Sequence, residues 1–180
     1  CNEGEKKYKK LYKYVAVNKP FDLVKYSKSA YYPIEISEVL REIRQNDKRV
    51  AITVLPCMAK AIRLASQYDK NIRDNIKIIV ALTCGGLPKK SMIDYVSMKN
   101  NFTSQKIQEL KFRVKDDKYL NKNCCMQMTL DDRIVTSRLH KEDFGFAYLN
   151  RLFHHLACNC CDDVYGECAD ISFMDAWLSE

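Results

Sequence analysis

Two short runs of strand-forming residues, RVAITVL (49–55) and KIIVALTC (77–84), alternate along the chain with segments of helical periodicity. In the first of these segments four apolar residues recur on one helical face, and charged residues occupy the other face. Helix, strand, helix, strand, helix is the order typical of a parallel βαβ unit. The helical segments are IEISEVLREIRQND (34–47), CMAKAIRLASQYDKNIRD (57–74) and KKSMIDYVSMKN (89–100).

The pattern changes after residue 105. KIQELKFRVK (106–115) alternates and predicts a strand, and CMQMTL (125–130) and RIVTSRL (133–139) predict a hairpin around Asp131 and Asp132. A short helix and a final strand are predicted in FAYLNRLFHHL (146–156) and ADISFMDAW (169–177). The sequence therefore predicts an α/β protein with a mixed sheet, in which an antiparallel β extension follows a parallel βαβ core.

Positive charge is concentrated near the N-terminus. The 180 residues carry a formal net charge of +7, and EKKYKKLYKYVAVNK (5–19) holds much of the excess. Lysine interleaved with tyrosine is found where nucleic acid binds, but a solvated strand or chain end explains this pattern more often. We therefore expect no nucleic-acid partner. We assign residues 1–23 to a basic N-terminal segment and residues 24–180 to one domain.

The sequence has neither a membrane-spanning pattern nor the pattern of an export signal. Its longest apolar run falls far short of the roughly 18 residues that a membrane span requires. The charged N-terminus lacks the apolar core of a signal peptide. These features predict a cytoplasmic protein without a membrane span. Because the chain begins with Cys1 rather than methionine, we expect it to be a fragment of a longer protein.

Nine cysteines are many for a cytoplasmic chain of this length, and metal or redox chemistry explains clustered cysteines there better than disulfides do. Cys57 follows the first predicted strand and Cys84 closes the second. A right-handed crossover would bring both thiols to the same edge of a parallel sheet. Cys57 also begins a predicted helix, whose free N–H groups stabilise a thiolate. Cys158-x-x-Cys161 has the spacing of a turn that holds two sulfurs on one metal or cluster.

Cys57, Cys84, Cys158 and Cys161 thus form a candidate four-thiolate set for a [4Fe–4S] cluster. Asp163 is a candidate supporting group or substitute ligand. A structural zinc ion would use the same four sulfurs, and metal-free thiols are compatible with the same residues. The cysteines without an assigned partner are predicted to be buried or free thiols: Cys124, Cys125, Cys160 and Cys168. Of these, Cys160 competes with its neighbours as a ligand.

Four ordered motifs resemble the C-terminal region of the coenzyme F420 hydrogenase/dehydrogenase beta-subunit family. The last motif is similar to the family's C-x-x-C-x-D, followed by G-E-x-A-D-I and a D-A-W ending. YSKSAYYP (26–33) resembles the stretch before the family's first helix, so the resemblance spans residues 24–178. The four motifs are VLPCMAKAIRLA (54–65), IIVALTCGGLPKKSM (78–92), LKFRVK (110–115) and CNCCDDVYGECADISFMDAWL (158–178).

The resemblance implies an oxidoreductase that carries FAD and a [4Fe–4S] cluster. Such a protein passes electrons between the cluster, the flavin and a small-molecule hydride carrier such as coenzyme F420, or a partner protein. Relatives often contain an N-terminal ferredoxin-like domain, which this sequence lacks, so we expect such a domain or a separate electron-transfer protein as the partner. The alternative is a zinc-stapled or metal-free α/β domain that binds a partner without catalysis.

FAD requires cations and hydrogen-bond donors for its pyrophosphate and polar contacts for its ring. Ser27, Lys28, Ser29, Arg113 and Lys115 are chemically suitable, although alternating charges on a strand usually face water. In the last motif, acid–base chemistry is a weaker explanation for the aspartates than a structural role. We expect the two later ones, Asp170 and Asp175, to cap turns or tie the motif down.

Overall fold

The computed structural model describes residues 11–27, 29–115, 124–138 and 143–175, which form two compact units. We call residues 35–86 and 156–180 the parallel unit, and residues 1–34 and 87–155 the antiparallel unit. The described elements are α1 (Pro20–Tyr26), α2 (Ser37–Gln45), β1 (Val50–Val54), α3 (Pro56–Tyr68), α4 (Lys70–Asn75), β2 (Ile76–Leu82), α5 (Ser91–Lys99), a 3₁₀ turn (Ser104–Lys106), β3 (Glu109–Lys115), β4 (Cys124–Thr129), β5 (Ile134–Arg138), α6 (Asp143–Leu149), α7 (Leu156–Asn159) and β6 (Ile171–Phe173).

The parallel unit contains a three-stranded parallel sheet in the order β1-β2-β6. Ile52 and Val54 of β1 alternate inward, and Pro56 starts α3 at a position where its missing N–H has no helical partner to lose. The described core of this unit is entirely aliphatic. It comprises Ile43, Ile52, Val54, Ala59, Ile62, Ile72, Ile76, Ile79 and Ala81.

The long helix predicted over residues 57–74 is two helices, α3 and α4, that meet at Asp69. The Asp69 carboxylate accepts hydrogen bonds from the N–H groups of Asn71 (2.9 Å) and Ile72 (3.2 Å), which caps the start of α4. Its other oxygen pairs with Arg44 Nε at 2.6 Å. In one continuous helix Asp69 would lie on the solvent-facing side, where an aspartate is common. The sequence pattern alone therefore does not reveal that the helix ends there.

The antiparallel unit contains the sheet β3-β4-β5. Thr129 pairs with Ile134, and the Leu130 N–H donates to the Arg133 carbonyl at 2.8 Å, which closes the hairpin predicted around Asp131 and Asp132. The predicted helix 146–156 is shifted: α6 begins at Asp143 and ends at Leu149. Methionine and aromatic side chains dominate the core, including the fully buried Met92, Met126, Met128 and Phe144.

The predicted fold class is confirmed. The parallel βαβ core and the antiparallel extension are both present, and their strands lie in two separate three-stranded sheets. The final predicted strand is present as β6, which pairs with β2 in parallel. The predicted boundary between residues 23 and 24 falls within α1 and stays a prediction.

Part of the basic N-terminal segment packs against the core of the antiparallel unit, to which it belongs. Residues 1–10 lie outside the described residues, but Leu11 and Tyr12 contact the core of that unit. The Tyr12 hydroxyl donates to the Leu110 carbonyl, and burial, followed by the charge of Glu109, raises the pKa of Tyr12 to about 12. Within the described ranges, none of the helices has the length and apolar character needed to cross a membrane.

Candidate metal centre

Cys57 and Cys84 lie at the carboxyl edge of the parallel sheet. Cys57 stands in the first turn of α3, three residues after β1 ends, and Cys84 follows β2 by two residues. The Cys84 N–H donates to the Val164 carbonyl at 3.0 Å, which joins this edge to the C-terminal loop. The strand order thus places both predicted ligands on one edge, as the right-handed crossover requires.

Cys158 and Cys161 reach the same unit from the C-terminal side. Cys158 is half-buried in α7, and the exposed Cys161 donates its S–H to the Asp163 carbonyl at 3.3 Å. The intervening Cys160 is exposed, and its N–H bonds to the Ala157 carbonyl in a turn. The C-x-x-C segment therefore folds as a short helix followed by a tight turn.

The electrostatics of the thiols link these four cysteines. Burial raises the pKa of the Cys57 thiol, and the negative charges of Cys161 and Cys158 raise it further, while N–H groups at the start of α3 lower it. Burial also raises the pKa of Cys84, opposed by an N–H bond from Gly86 and increased by the charges of Cys57, Cys158 and Cys161. The four predicted ligands therefore lie within electrostatic reach of one another.

The structure also describes three cysteines that are not in the predicted ligand set. Cys125 is buried in the antiparallel unit, Cys160 is exposed and Cys168 is half-buried. Cys1 and the side chain of Cys124 lie outside what the structure describes. Among the described residues, no three histidine, cysteine, aspartate or glutamate side chains converge closely enough to coordinate a single metal ion.

Asp163 organises the loop that follows Cys161. Its buried carboxylate accepts hydrogen bonds through Oδ1 from the N–H groups of Gly166 (2.6 Å) and Glu167 (3.1 Å). Its Oδ2 is buried and has no hydrogen-bond partner among the described residues. The carboxylate thus holds the turn, and its role as a ligand stays a prediction.

Gly166 allows this loop to approach the sheet. Its backbone has φ +82°, and a Cβ at this position would lie 2.5 Å from Ala81 Cβ and 2.8 Å from Ser172 Oγ. Only glycine fits both the left-handed conformation and this contact with β2. Packing against β2 therefore explains why the G-E-x-A-D-I motif has a glycine at this position.

Asp170 ties the last motif to the central strand, as predicted. Its Oδ2 accepts from the Ile79 N–H at 2.7 Å, and its own N–H donates to the Ile79 carbonyl at 2.9 Å. The Ile79 hydrogen bond, followed by the nearby Arg63 guanidinium, holds the pKa of Asp170 below its ordinary range against partial burial. Asp175 is described and exposed, and its predicted role is not tested.

Two cations of α3 contact the C-terminal segment and were not predicted. Lys60 Nζ lies 2.9 Å from Asp162 Oδ1, and this hydrogen bond raises the pKa of Lys60. Arg63 donates from Nε to the Cys168 carbonyl (2.9 Å) and from Nη2 to Asp170 Oδ1 (2.6 Å). The sequence signal that could have identified them is their spacing. Residues 57, 60 and 63 are three apart, so Lys60 and Arg63 lie on the same face of the helix as Cys57.

The predicted flavin contacts lie in the antiparallel unit. Ser27 ends α1, where its hydroxyl donates to the Val24 carbonyl at 2.8 Å, and Ser29 is half-buried. Arg113 sits at a bulge in β3 with φ +55°. Lys28 and the side chain of Lys115 lie outside the described residues. These five assignments stay predictions.

Residues 47–180 match the family described as the C terminus of the coenzyme F420 hydrogenase/dehydrogenase beta subunit. The chain belongs to this family. The resemblance of the four sequence motifs is thereby confirmed, and membership supports an oxidoreductase function. No curated protein matches the chain.

A solved structure also shares the fold. It is a chain of the F420-reducing [NiFe] hydrogenase complex from Methanosarcina barkeri, with a TM-score of 0.59 and 18% sequence identity. The alignment covers 96% of the present chain and 55% of the hydrogenase chain. The present chain thus spans about half the length of that relative, and at this identity the match supports the fold alone.

Proposed function

We propose that this family member is the cluster- and flavin-binding part of an oxidoreductase. It would pass electrons between a [4Fe–4S] cluster, FAD and a hydride carrier such as coenzyme F420, or a partner protein. The observation that supports this proposal most is that Cys57 and Cys84 follow two adjacent parallel strands at the carboxyl edge of the sheet, and that Cys158 and Cys161 lie near enough to raise the pKa values of both.

The donor set suits an iron–sulfur cluster. Thiolates are the ligands that such clusters use. Burial raises the pKa values of Cys57 and Cys84, and N–H groups at the start of α3 and at Gly86 oppose part of that rise. A [4Fe–4S] cluster would be held by the four thiolates together and would not require all of them to converge on a single ion. A structural zinc ion, by contrast, requires four sulfurs at about 2.3 Å from one centre.

The bound cluster would supply one-electron transfer. The chain's own residues would hold and tune it: the four cysteines bind, α3 directs its first N–H groups toward the Cys57 thiol, and the Asp163 turn fixes the segment after Cys161. Ser27, Lys28, Ser29, Arg113 and Lys115 are proposed to contact FAD. Of these, the cations would neutralise part of the pyrophosphate charge.

Anaerobic reconstitution of the 180-residue chain tests the cluster. We expect about four irons and four sulfides per chain and a broad absorbance shoulder near ~400 nm. Cys158→Ser and Cys161→Ser should each abolish this signal, and Cys160→Ser, in the same turn, should retain it. One zinc and no colour would support the zinc-stapled domain instead. A Cys160→Ser loss equal to that of its neighbours would reject the proposed ligand set.

Flavin binding is tested separately by titrating FAD and following the quenching of its fluorescence. Arg113→Gln should weaken binding about tenfold, the effect of losing one charge-assisted contact of roughly 1.4 kcal/mol. Lys111→Gln is the matched control, because Lys111 lies on the same strand and pairs with Glu109 at 2.8 Å. Equal affinities for Arg113→Gln and the unaltered chain would remove Arg113 from the proposed site.

A further inference from the structure

Arg63 connects α3 with a C-terminal segment that lies more than 100 residues later in the sequence. It stands in α3, six residues after Cys57, and its guanidinium bonds to the Cys168 carbonyl and to Asp170 Oδ1. Asp170 in turn exchanges hydrogen bonds with both backbone groups of Ile79 in β2. Arg63 thus joins the helix that carries Cys57 to the loop that follows Cys161 and, through Asp170, to the strand that leads to Cys84.

We propose that Arg63 is a positioning residue, whose bridge from α3 to the Cys168–Asp170 segment and β2 fixes the relative positions of the four cysteines. This inference rests on the proposed function, since a fixed spacing matters most when the thiols share one cluster. A cluster binds best to ligands whose positions are set before it arrives, because ordering them at binding costs free energy.

The geometry of the bridge suits an arginine in particular. The planar guanidinium presents several N–H donors in a fixed arrangement, so Nε and Nη2 reach a carbonyl and a carboxylate at once. A lysine at this position could contact one of the two acceptors. Arg63 and Asp170 are each about 40% exposed, so water weakens the attraction between their charges. We therefore expect Arg63 to contribute little to the free energy of unfolding. Its proposed role is to fix the position of the backbone at residues 168–170.

Lys60 provides a matched comparison one helical turn earlier. It also extends from α3 and pairs with the C-terminal segment, at Asp162. Its contact reaches one exposed side chain and involves no backbone group of β2 or of the loop. Replacing Lys60 removes a similar charge from the same helix while leaving the bridge to β2 in place.

The test compares Arg63→Gln, Arg63→Lys and Lys60→Gln with the unaltered chain. After anaerobic reconstitution, we expect Arg63→Gln to bind iron about tenfold more weakly, the lower end of what loss of a supporting contact at a metal site costs. Arg63→Lys should recover part of this loss, and Lys60→Gln should match the unaltered chain. The cluster's reduction potential should also shift in Arg63→Gln and not in Lys60→Gln, a change that loss of stability alone would not produce.

A second readout needs no cluster. Dibromobimane becomes fluorescent only when it bridges two thiols, and mass spectrometry identifies which cysteines it joins. In the metal-free chain, the yield of bridges between Cys57 and Cys161 should fall severalfold in Arg63→Gln and stay unchanged in Lys60→Gln. Circular dichroism establishes that each variant is folded, and an unfolded Arg63→Gln leaves Arg63→Lys as the deciding variant.

The two readouts separate this inference from the proposed function. If the unaltered chain takes up no cluster but Arg63→Gln loses the thiol bridges, the proposed function fails and the positioning role stands. If the chain takes up a cluster and Arg63→Gln matches Lys60→Gln in iron affinity, potential and bridge yield, the positioning role is overturned. If Arg63→Lys matched the unaltered chain in every readout, the need for two simultaneous donors would be rejected.

Discussion

The interior of each unit is stabilised by different contacts. The antiparallel unit buries methionine and aromatic side chains, and Phe144 alone contacts the rings of Tyr31, Phe112 and Tyr148. The parallel unit has an aliphatic core in its described part, and its C-terminal loop buries little apolar surface. Hydrogen bonds from Asp163 and Asp170 and the close approach of Gly166 hold that loop instead.

The difference shows where a cysteine-rich site can be built. A loop of short polar residues has few apolar contacts to define its conformation. Its conformation therefore depends more strongly on each hydrogen bond and on each glycine. We therefore expect core substitutions to reduce stability most in the antiparallel unit. Substitutions in the loop should cost less stability and should alter the cysteine edge more.

The largest expected effect belongs to the antiparallel core. Phe144→Ala removes a fully buried ring and should reduce the free energy of unfolding by about 3–5 kcal/mol, because it loses apolar contacts and leaves a cavity. Urea denaturation measures the loss, and hydrogen exchange followed by mass spectrometry locates it. Exchange should rise in peptides of the antiparallel unit.

Phe146→Ala is the control for this prediction. Phe146 lies in the same helix, α6, but is 59% exposed, so its replacement should change stability by less than about 0.5 kcal/mol. If Phe144→Ala and Phe146→Ala lowered the free energy of unfolding equally, burial of the Phe144 ring would not explain the stability of the antiparallel unit at α6.

Gly166→Ala is expected to have the next largest effect. The new Cβ would overlap Ala81 and force alanine into a left-handed conformation, which together should cost about 2–4 kcal/mol. Hydrogen exchange should increase around residues 163–173, and reconstituted iron content should fall. Gly85→Ala is the control, because a Cβ there meets no atom within 4 Å. Unaltered exchange in Gly166→Ala would show that the loop is free to move away from β2.

Much of the fold followed from local pattern. RVAITVL and KIIVALTC predicted two of the three parallel strands because β-branched residues and flanking breakers act locally, and the crossover rule then placed Cys57 and Cys84 on one edge. Arg63 was not predicted because its partners lie more than 100 residues away in sequence, and no local pattern records such a pair. The division of the strands between two sheets likewise depends on long-range pairing, which periodicity does not specify.

Asp163→Ala should reduce the free energy of unfolding by less than Gly166→Ala does. It tests how much the hydrogen bonds of the loop contribute. Removing the carboxylate leaves the N–H groups of Gly166 and Glu167 without their acceptor, with an expected loss of about 1–3 kcal/mol. Asp163→Asn keeps an oxygen that can accept both bonds, so it should retain more stability. Thermal unfolding of the two variants measures the difference. Equal losses would mean that the negative charge, and not the hydrogen bonding, holds the turn.

The smallest expected effect is a dependence on pH at Asp170. The Ile79 N–H and then Arg63 keep the folded pKa of Asp170 below its ordinary value of 3.8. The ionised carboxylate therefore stabilises the folded chain fully above that value, and this contribution is lost as the pH falls through the folded pKa. Because Asp170 is 40% exposed, solvent screening limits the contribution to less than about 1 kcal/mol.

Asp170→Asn measures this contribution. Urea denaturation of both chains should give a stability difference that is constant from about pH 7 to pH 5 and narrows below about pH 4, where the carboxyl of the unaltered chain becomes protonated. A difference that widened toward acid would mean that Asp170 is protonated more readily in the folded chain, contrary to its two hydrogen-bond donors. A difference that stayed constant to pH 2 would assign the effect of Asp170 to hydrogen bonding that an amide reproduces poorly, and its charge would then add nothing to the loop's attachment to β2.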